Sequence, residues 1–294
     1  MRNLVQSVIL GSLAAITHVR TTAAITPVPD ANMTALLRCR DPELAMKAQP
    51  MFLIGQMLAQ PPCIPTLATS SGKQAAPSKL CSWPKSGCDC RNPGLPVGNS
   101  LTSLPVYFSY KRCSETALRV AYNLFYTKDG FTPRGLFGHA FDWERVVVVW
   151  NKTGSEWTPS QLFLSQHKGY QRVDWSQIES TFQADDAKKP RGGCDGQKNL
   201  DHPKIWIDVF SQLTDNAYRS DDWWYFPKRG IYSSDYLTHK CLEGETFDAD
   251  VFGFGKEDYI LADSSTEVGK LIASFDWGDA DSTPPRVADG LCDA

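Results

Sequence analysis

Beyond its first 23 residues the chain has no long hydrophobic run, and a bilayer span needs about 20 apolar residues. It has no surplus of basic residues either. Its 30 Lys and Arg face 33 Asp and Glu, and a net charge of −3 excludes the general positive field that attracts nucleic acid. A G-x-S-x-G nucleophile elbow is absent, and Gly253-Phe254-Gly255 lacks the third glycine of a nucleotide-binding loop. We therefore expect no nucleic-acid or nucleotide partner.

The one apolar run, at the start of the chain, is typical of a secretory signal peptide. Arg2 provides a positive charge, Leu4 to Ile16 are mostly apolar, and small residues follow. We expect cleavage near Ala23 and a secreted, extracellular mature chain. Residues 24–294 carry 28 basic and 33 acidic side chains, so charge alone should not attract the mature chain to an anionic membrane.

Cysteine is abundant, and all nine cysteines lie after the predicted cleavage point. In an oxidising compartment we expect them to form disulfides, and an odd number leaves one free or paired with another chain. Cys88 and Cys90 are too close in sequence to be partners, so each should bridge elsewhere. Zinc binding by Cys81, Cys88 and Cys90 is the alternative, but the C-x-x-C spacing of zinc sites is missing.

Two N-x-T tripeptides, at Asn32 and Asn151, are candidate glycosylation sites in an exported chain. The mature sequence divides into a Cys- and Pro-rich part at 24–104 and a β-rich part at 105–292. We interpret the first as the N-terminal part of the same domain, with a short helix expected at Asp41–Ala48.

The β-rich part contains six short segments with strand character, separated by Gly, Pro, Asp and Asn clusters instead of helical patterns. This organisation predicts a mostly β fold, an antiparallel β-sandwich flanked by a few α-helices and stabilised by disulfides. A capping box at Ser264–Glu267 predicts one helix after the last strand. The predicted strands are 106–110, 118–126, 145–150, 160–166, 204–210 and 258–263.

A group of acidic residues and histidines surrounds the sequence Gly-His-Ala-Phe-Asp-Trp-Glu at 138–144. In a strand, Asp142 and Glu144 point to the same face, and His139 precedes them in a turn. Asp129 and His167 follow neighbouring predicted strands, so their side chains can meet these at one end of a sandwich.

Three carboxylates repel one another unless a cation lies between them, and carboxylate oxygens favour a hard divalent ion. We therefore expect Ca²⁺ or Mg²⁺, with Mn²⁺ and Zn²⁺ as alternatives because two imidazoles are present. A surface turn with a core histidine is the simpler alternative for the same pattern.

At these residues the sequence resembles the NPP1 family, the necrosis- and ethylene-inducing peptide 1-like proteins of microbial plant pathogens. The family heptapeptide G-H-R-H-D-W-E and its run of valines correspond to GHAFDWERVVVVW at 138–150. A family K-D corresponds to Lys128-Asp129, and a family S-x-H-G-G-Y to the segment 165–170. Further similarity to the fungal branch lies at 201–226, at 259–285 and at Cys292.

The resemblance implies a β-sandwich with a divalent metal at one end and an extracellular cytolysin. It implies a peripheral partner at the outer membrane leaflet, either a plant sphingolipid headgroup or a surface glycan, and no enzymatic reaction. Position by position, the metal ligands would be Asp129, His139, Asp142, Glu144 and His167.

The heptapeptide differs from the family at two positions, where Ala140 and Phe141 replace the family Arg and second His. On the strand pattern Phe141 faces away from Asp142 and Glu144, so we expect it to pack instead of binding the metal. Metal binding would then be retained, whereas lysis stays open because a donor and a cation are missing beside the site.

Asp222, Trp223 and Trp224 are candidate glycan-binding residues, because sugars stack on aromatic faces and bond to carboxylates. A strand whose aromatic residues fill the core is the alternative. His202 is expected to be structural, and Lys47, Lys128 and Lys168 to lie on solvated faces.

Two other function classes remain open from the sequence. One is a metal-dependent hydrolase with His167 or Glu144 as the base, although five protein ligands would leave little room for water and substrate. The other is a non-lytic, disulfide-stabilised wall or structural protein that uses metal only for stability.

Overall fold

The computed structural model describes residues 24–55, 63–82, 88–90, 104–132, 134, 138–166, 169–178, 181–183, 198–207, 234–236, 247–251 and 255–294. The predicted signal peptide, His167 and Lys168 lie outside these residues. So do Cys194, Cys241 and the segment that contains Asp222, Trp223 and Trp224.

The described residues are mostly β, which confirms the predicted fold class. The helices are α1 (Asp30–Cys39), α2 (Glu43–Met46), α3 (Glu267–Ala273) and α4 (Pro284–Asp289). The strands are β1 (Val28–Pro29), β2 (Met51–Gly55), β3 (Thr69–Ser70), β4 (Lys73–Gln74), β5 (Val106–Arg112), β6 (Ala117–Gly130), β7 (Gly138–Thr153), β8 (Glu156–Gln166), β9 (Gly169–Asp174), β10 (Thr181–Phe182), β11 (His202–Ile207), β12 (Ser234–Tyr236), β13 (Phe247–Val251) and β14 (Tyr259–Leu261).

Two larger sheets contain most of these strands. The first has seven strands in the order β1-β8-β7-β6-β5-β14, with β9 paired to β8. The second has five strands in the order β10-β11-β2-β13, with β12 paired to β11. Most pairs are antiparallel, and the exceptions among the described pairs are β5 with β14 and β2 with β11. Strands β3 and β4 form a separate hairpin.

One buried apolar cluster joins the two sheets. It contains Tyr122 and Val148 from the seven-stranded sheet together with Phe52 and Ile205 from the five-stranded one. Because side chains alternate along a strand, the opposite face of β6 and β7 is covered separately. Trp277 near α3 lies in one of these outer clusters, and residues of α4 lie in another.

Strands β6 and β7 form the longest hairpin and extend well past the predicted strands. Their cores are the β-branched and aromatic runs 118–126 and 145–150, which were predicted as strands. The pairing continues outward to Gly130 opposite Gly138, so Asp129 and His139 lie within the ladder. The hairpin therefore carries four of the five predicted ligands on two adjacent strands.

The helix after β14 begins later than the capping box predicts. With Ser264 as N-cap the helix would start at Ser265, but the N-cap is Thr266, whose hydroxyl accepts a hydrogen bond from the Gly269 N–H at 3.0 Å. Ser265 bonds instead to the Asp263 carboxylate through its N–H and its hydroxyl. Local side-chain bonding of this kind competes with helix formation.

Three disulfides are present among the described residues: Cys63–Cys90, Cys81–Cys88 and Cys113–Cys292. The prediction that Cys88 and Cys90 bridge elsewhere is confirmed, and the zinc alternative for these cysteines is wrong. Cys113–Cys292 joins the β5–β6 turn to the end of the chain across a sequence separation of 179. Cys39 is exposed and has no disulfide partner within the part of the chain that is described.

Candidate metal and glycan site

The candidate site lies where the β6–β7 hairpin ends. Asp129 is directly opposite His139, and Asp142 is opposite Tyr126. Glu144 is opposite Leu124, and both Leu124 and Tyr126 belong to the cluster between the sheets. Because residues paired across strands share a face, Asp142 and Glu144 lie on the same face of β7, as the strand pattern predicts.

Gly138 allows the two strands to come together at this end. A Cβ atom at this position would lie 2.7 Å from the Asp129 carbonyl oxygen and 2.7 Å from the Phe131 nitrogen. Both neighbours are backbone atoms, which cannot move without opening the hairpin. The glycine that begins the heptapeptide is therefore required by the close approach of the chain that carries Asp129.

Phe141 has an unusual backbone conformation. Its φ of 61° lies in the left-handed region, which bulky side chains rarely adopt. The residue is only 8% exposed, and its ring centroid lies 5.9 Å from that of Phe125 and 5.1 Å from that of Trp277. The prediction that Phe141 packs is confirmed. These aromatic contacts oppose a backbone cost of about 1–2 kcal/mol.

The left-handed residue changes which side chains can meet. His139 and Asp142 are three positions apart, so regular alternation would place them on opposite faces of β7. The described ladder passes from Tyr126–Asp142 to Lys128–Ala140 without a pair that includes Phe141. Alternation is interrupted at this point, and the negative charge of Asp142 helps to raise the pKa of His139.

The main chain at Phe141 also fixes the ring of His139. The Nδ1 atom lies 2.9 Å from the Phe141 carbonyl oxygen and 3.3 Å from that of Ala140. Since a carbonyl oxygen only accepts, Nδ1 must carry the hydrogen and donate it. Nε2 then has the lone pair in neutral His139, and it faces the Asp129 carboxylate at 3.6 Å. A histidine that binds metal typically uses this arrangement, with its other nitrogen bonded to a carbonyl.

The pKa values of Asp129 and His139 are both raised at this site. Burial raises the pKa of Asp129 to about 8, and the negative charge of Asp142 acts in the same direction, against the opposing effects of His139 and the Gly130 N–H. Burial lowers the pKa of His139, but the charges of Asp129 and Asp142 and its two carbonyl bonds outweigh this, and the pKa is raised. At neutral pH Asp129 and His139 therefore tend to hold protons, and a bound cation would displace these protons.

Glu144 is held deeper in the protein and is 6% exposed. Its Oε2 atom accepts a hydrogen bond of 2.9 Å from the Ser165 hydroxyl, and Ser165 Oγ in turn accepts one of 3.1 Å from the Arg145 N–H. Ser165 thus links the carboxylate to the backbone of β7. The sequence predicts His167 as the ligand from the segment 165–170. In the structure, the residue of this segment that contacts Glu144 is Ser165.

Within the described residues, no three His, Cys, Asp or Glu side chains have converged into a ready-made metal cluster. Asp129, His139 and Asp142 form one electrostatic group, and Glu144 is bound to Ser165 beside it. His167, Asp222, Trp223 and Trp224 lie outside the described residues, so their roles stay predictions. Together, Asp129, Asp142 and Glu144 supply three carboxyl groups, and His139 supplies the imidazole Nε2. This donor chemistry fits a hard divalent cation.

Sequence reasoning missed a segment that borders the site. We name residues 63–82 and 88–90 the strap. Strand β5 pairs with β6 only as far as Asn123, and beyond that point the strap takes its place along β6. The N–H groups of Thr66 and Ser78 donate to the carbonyls of Phe125 and Thr127 at 2.9 and 3.1 Å. The sequence has no strand-like pattern that predicts these contacts, because each contact involves a single residue of the strap.

The prediction that Lys128 lies on a solvated face is wrong. The residue is fully buried, and its Nζ donates to the carbonyl oxygens of Lys79 at 2.9 Å and Cys88 at 2.5 Å. Burial lowers its pKa to about 8, and the charge of Asp89 opposes that shift. Strand alternation could have indicated this burial, because Lys128 lies on β6 two residues after the buried Tyr126 and shares its face.

The remaining predicted residues lie away from this end of the hairpin. His202 is buried, with Nδ1 3.1 Å from the Gln49 carbonyl oxygen and its ring against Phe182, which confirms a structural role. Asn32 on α1 and Asn151 near the end of β7 are exposed, and their glycosylation stays a prediction. None of the described helices combines the length and apolar character that a membrane span requires.

Comparison with known proteins gives one informative match and several weaker likenesses. A search of curated protein sequences finds no significant match. Non-toxic HaNLP3 is 17% identical, with 87% of this chain and 86% of that chain covered and a TM-score of 0.45. NLPPya in complex with mannosamine is 17% identical, with 92% and 93% covered and a TM-score of 0.46.

Necrosis and Ethylene inducing Protein 2 from the causal agent of cocoa's Witches Broom disease is 15% identical, with 86% and 96% covered and a TM-score of 0.41. At this level of similarity the solved structures carry no argument about the site.

The family model described as necrosis inducing protein (NPP1) matches residues 63–199. This segment begins at Cys63 of the strap and includes the β6–β7 hairpin and all five predicted ligands. Residues 63–199 therefore match the NPP1 family of necrosis-inducing proteins, the family that the sequence motifs indicated.

Proposed function

We propose that the protein is a secreted effector that binds a glycan through a divalent cation at the end of the β6–β7 hairpin. The glycan would be the headgroup of a plant membrane sphingolipid or another cell-surface glycan. The observation that carries this proposal is the geometry at the end of the hairpin, where Asp129 is paired with His139 and the His139 Nε2 atom faces the Asp129 carboxylate at 3.6 Å. The match to the NPP1 family over this same segment supports it.

The residues that would hold the cation are Asp129, His139, Asp142, Glu144 and His167. When bound, the cation would neutralise the carboxylates and offer positive charge to sugar hydroxyl groups. The protein supplies orientation: the Phe141 carbonyl directs Nε2 of His139 toward Asp129, and Ser165 holds Glu144. Ca²⁺ and Mg²⁺ suit this oxygen-rich donor set, with Mn²⁺ and Zn²⁺ as alternatives.

Two features make lysis a separate question from binding. Ala140 and Phe141 supply neither the cation nor the imidazole that the family heptapeptide has at these positions, and Phe141 is committed to the aromatic cluster. We therefore propose binding as the primary function, with necrosis as an outcome to be measured. A hydrolase would need a water-activating base in addition, and the two candidates for that role, Glu144 and His167, are both cation ligands in this proposal.

The test is cation-dependent binding of the purified mature protein to glycan-bearing surfaces. Vesicles containing glycosylated plant sphingolipids are compared with vesicles of uncharged phospholipid, each with Ca²⁺ or with EDTA. Glucosamine and mannosamine serve as soluble competitors. We expect binding only to the glycosylated vesicles and only with cation. Binding that EDTA does not change would contradict the proposal.

Matched variants separate the site from the rest of the surface. Asp142→Asn should abolish binding, whereas Asp279→Asn, at an exposed position of the C-terminal segment, should leave it unchanged. Leaf infiltration with the wild-type protein then distinguishes a lytic effector from a silent binder. If Asp142→Asn lowers thermal stability but retains vesicle binding, the metal has only a structural role.

A further inference from the structure

The strap is closed on itself next to Asp129. Cys81 and Cys88 form a disulfide, and the Lys79 N–H donates to the Asp89 carboxylate at 2.6 Å. The Ser78 hydroxyl donates to the Asp89 carbonyl at 2.8 Å and lies 2.8 Å from the Thr127 hydroxyl on β6. These bonds hold the two arms of the strap, 78–81 and 88–90, as one unit against the end of β6.

Lys128 is inserted into this unit from β6. Its Nζ atom contacts the carbonyl oxygens of Lys79 and Cys88, one from each arm, and the Cys88 sulfur lies 3.3 Å away. After the strand, the Thr132 N–H donates to the Cys81 carbonyl at 2.9 Å. The residue that precedes Asp129 and a residue that follows it are therefore both bonded to the arms joined by Cys81–Cys88.

We infer that Lys128 is a positioning residue that fixes Asp129 for cation binding by locking β6 to the disulfide-closed strap. The inference rests on the proposed cation site. Side chains of adjacent strand residues point to opposite sides, so Lys128 acts on Asp129 through the backbone and not as its ion-pair partner.

The chemistry of a buried lysine supports a positioning role over a purely stabilising one. Burying an ammonium group is costly unless it is fully hydrogen-bonded, and an apolar side chain of similar volume often stabilises a protein equally well. What an apolar residue cannot do is specify a register, because only the ammonium makes directional bonds to the two carbonyls. Replacing the group should therefore loosen the position of Asp129 more than it lowers stability.

The test compares two ways of releasing the strap with matched controls. Lys128→Met removes the ammonium, and the double variant Cys81→Ser/Cys88→Ser opens the strap without altering β6. Lys111→Met is the control lysine, since its Nζ also donates to a carbonyl, that of Asp289, at the other end of the sheet. Cys113→Ser/Cys292→Ser is the control disulfide.

Ca²⁺ affinity by calorimetry, thermal unfolding and hydrogen exchange at the Ser78 and Thr132 amides are measured for each variant. We expect both strap variants to bind Ca²⁺ 10- to 100-fold more weakly and to lose protection at these amides, as is common when a residue that orients a metal ligand is removed. The controls should lower the melting temperature while Ca²⁺ affinity and protection stay within about twofold of wild type.

Equal Ca²⁺ affinity in wild type and Lys128→Met would overturn the inference. So would a loss of affinity that follows melting temperature equally in the strap and control variants. If the wild-type protein binds no divalent cation, the proposed function fails. Hydrogen exchange at the Ser78 and Thr132 amides still tests the role of Lys128 in that case. Exchange protection that is unchanged in Lys128→Met would show that Lys128 does not position the strand.

Discussion

The backbone at Phe141 gives a prediction in which the usual order of two substitutions is reversed. At an ordinary strand position, glycine is less stable than alanine by about 0.5–1 kcal/mol, because it loses more backbone freedom on folding. At a φ of 61°, alanine has a left-handed cost of about 1–2 kcal/mol that glycine does not have. Phe141→Gly should therefore be more stable than Phe141→Ala by about 0.5–1 kcal/mol.

Both variants lose the buried ring and should be less stable than wild type, Phe141→Ala by about 3–5 kcal/mol. Ala140 is the matched control, because it is the neighbouring position and its φ is not positive. There, Ala140→Gly should destabilise by about 0.5–1 kcal/mol. The free energy of unfolding is measured by urea denaturation at one pH for all four proteins.

The sign of the difference is the decisive result. A Phe141→Gly variant that is equally or less stable than Phe141→Ala would show that this residue is not held in the left-handed conformation. The explanation of how His139 is oriented would then fail as well, because the Phe141 carbonyl would have no reason to face Nδ1.

Three further predictions follow from the same end of the hairpin. Gly138→Ala should destabilise by more than about 2 kcal/mol in urea unfolding, because its Cβ would overlap backbone atoms, whereas Gly169→Ala meets no atom within 4 Å and should be nearly neutral. Ser165→Ala should cost about 1–3 kcal/mol in the same assay, since it removes the hydroxyl group that donates to the buried Glu144 carboxylate. In the cation-free protein, Asp142→Asn should lower the pKa of Asp129 from about 8, as followed by carboxyl ¹³C NMR.

The last of these has a direct consequence for stability as a function of pH. A carboxyl with a raised pKa in the folded state binds its proton more tightly there than in the unfolded chain. Stability is then greatest below the unfolded pKa near 4 and is lost as the pH rises through about 8. Cation-free protein should melt at a lower temperature at pH 9 than at pH 6, and Asp129→Asn should reduce this difference. An unchanged difference in the variant, or a ¹³C titration of Asp129 near pH 4, would contradict the account.

Local pattern was sufficient to predict the β class and the face shared by Asp142 and Glu144. Both depend on the alternation of side chains in a strand, and the run of β-branched valines at 146–149 is typical of a strand. The packing of Phe141 could be predicted for the same reason. Its left-handed backbone could not, since Phe has no preference for that region and the conformation depends on contacts with Trp277 far along the chain.

Long-range contacts account for the other differences. The strap reaches β6 through single hydrogen bonds from residues 66 and 78, which leave no periodic signal. Lys128 lies in a Lys-Asp-Gly sequence that resembles an exposed turn, and only the strap carbonyls make its burial possible. Helix α1 has just one fully buried residue, Met33, so its sequence lacks an apolar face strong enough to identify.

Calorimetric titration of the purified mature protein with Ca²⁺ and Mg²⁺ tests the central claim most directly. A single cation per chain should bind to the wild-type protein, and Asp142→Asn should bind none. Binding to the wild type should also release protons, because Asp129 with a pKa of about 8 must lose its proton to become a ligand. A wild-type protein that takes up no cation, or an Asp142→Asn variant that binds as well as wild type, would contradict a cation site at the end of the hairpin.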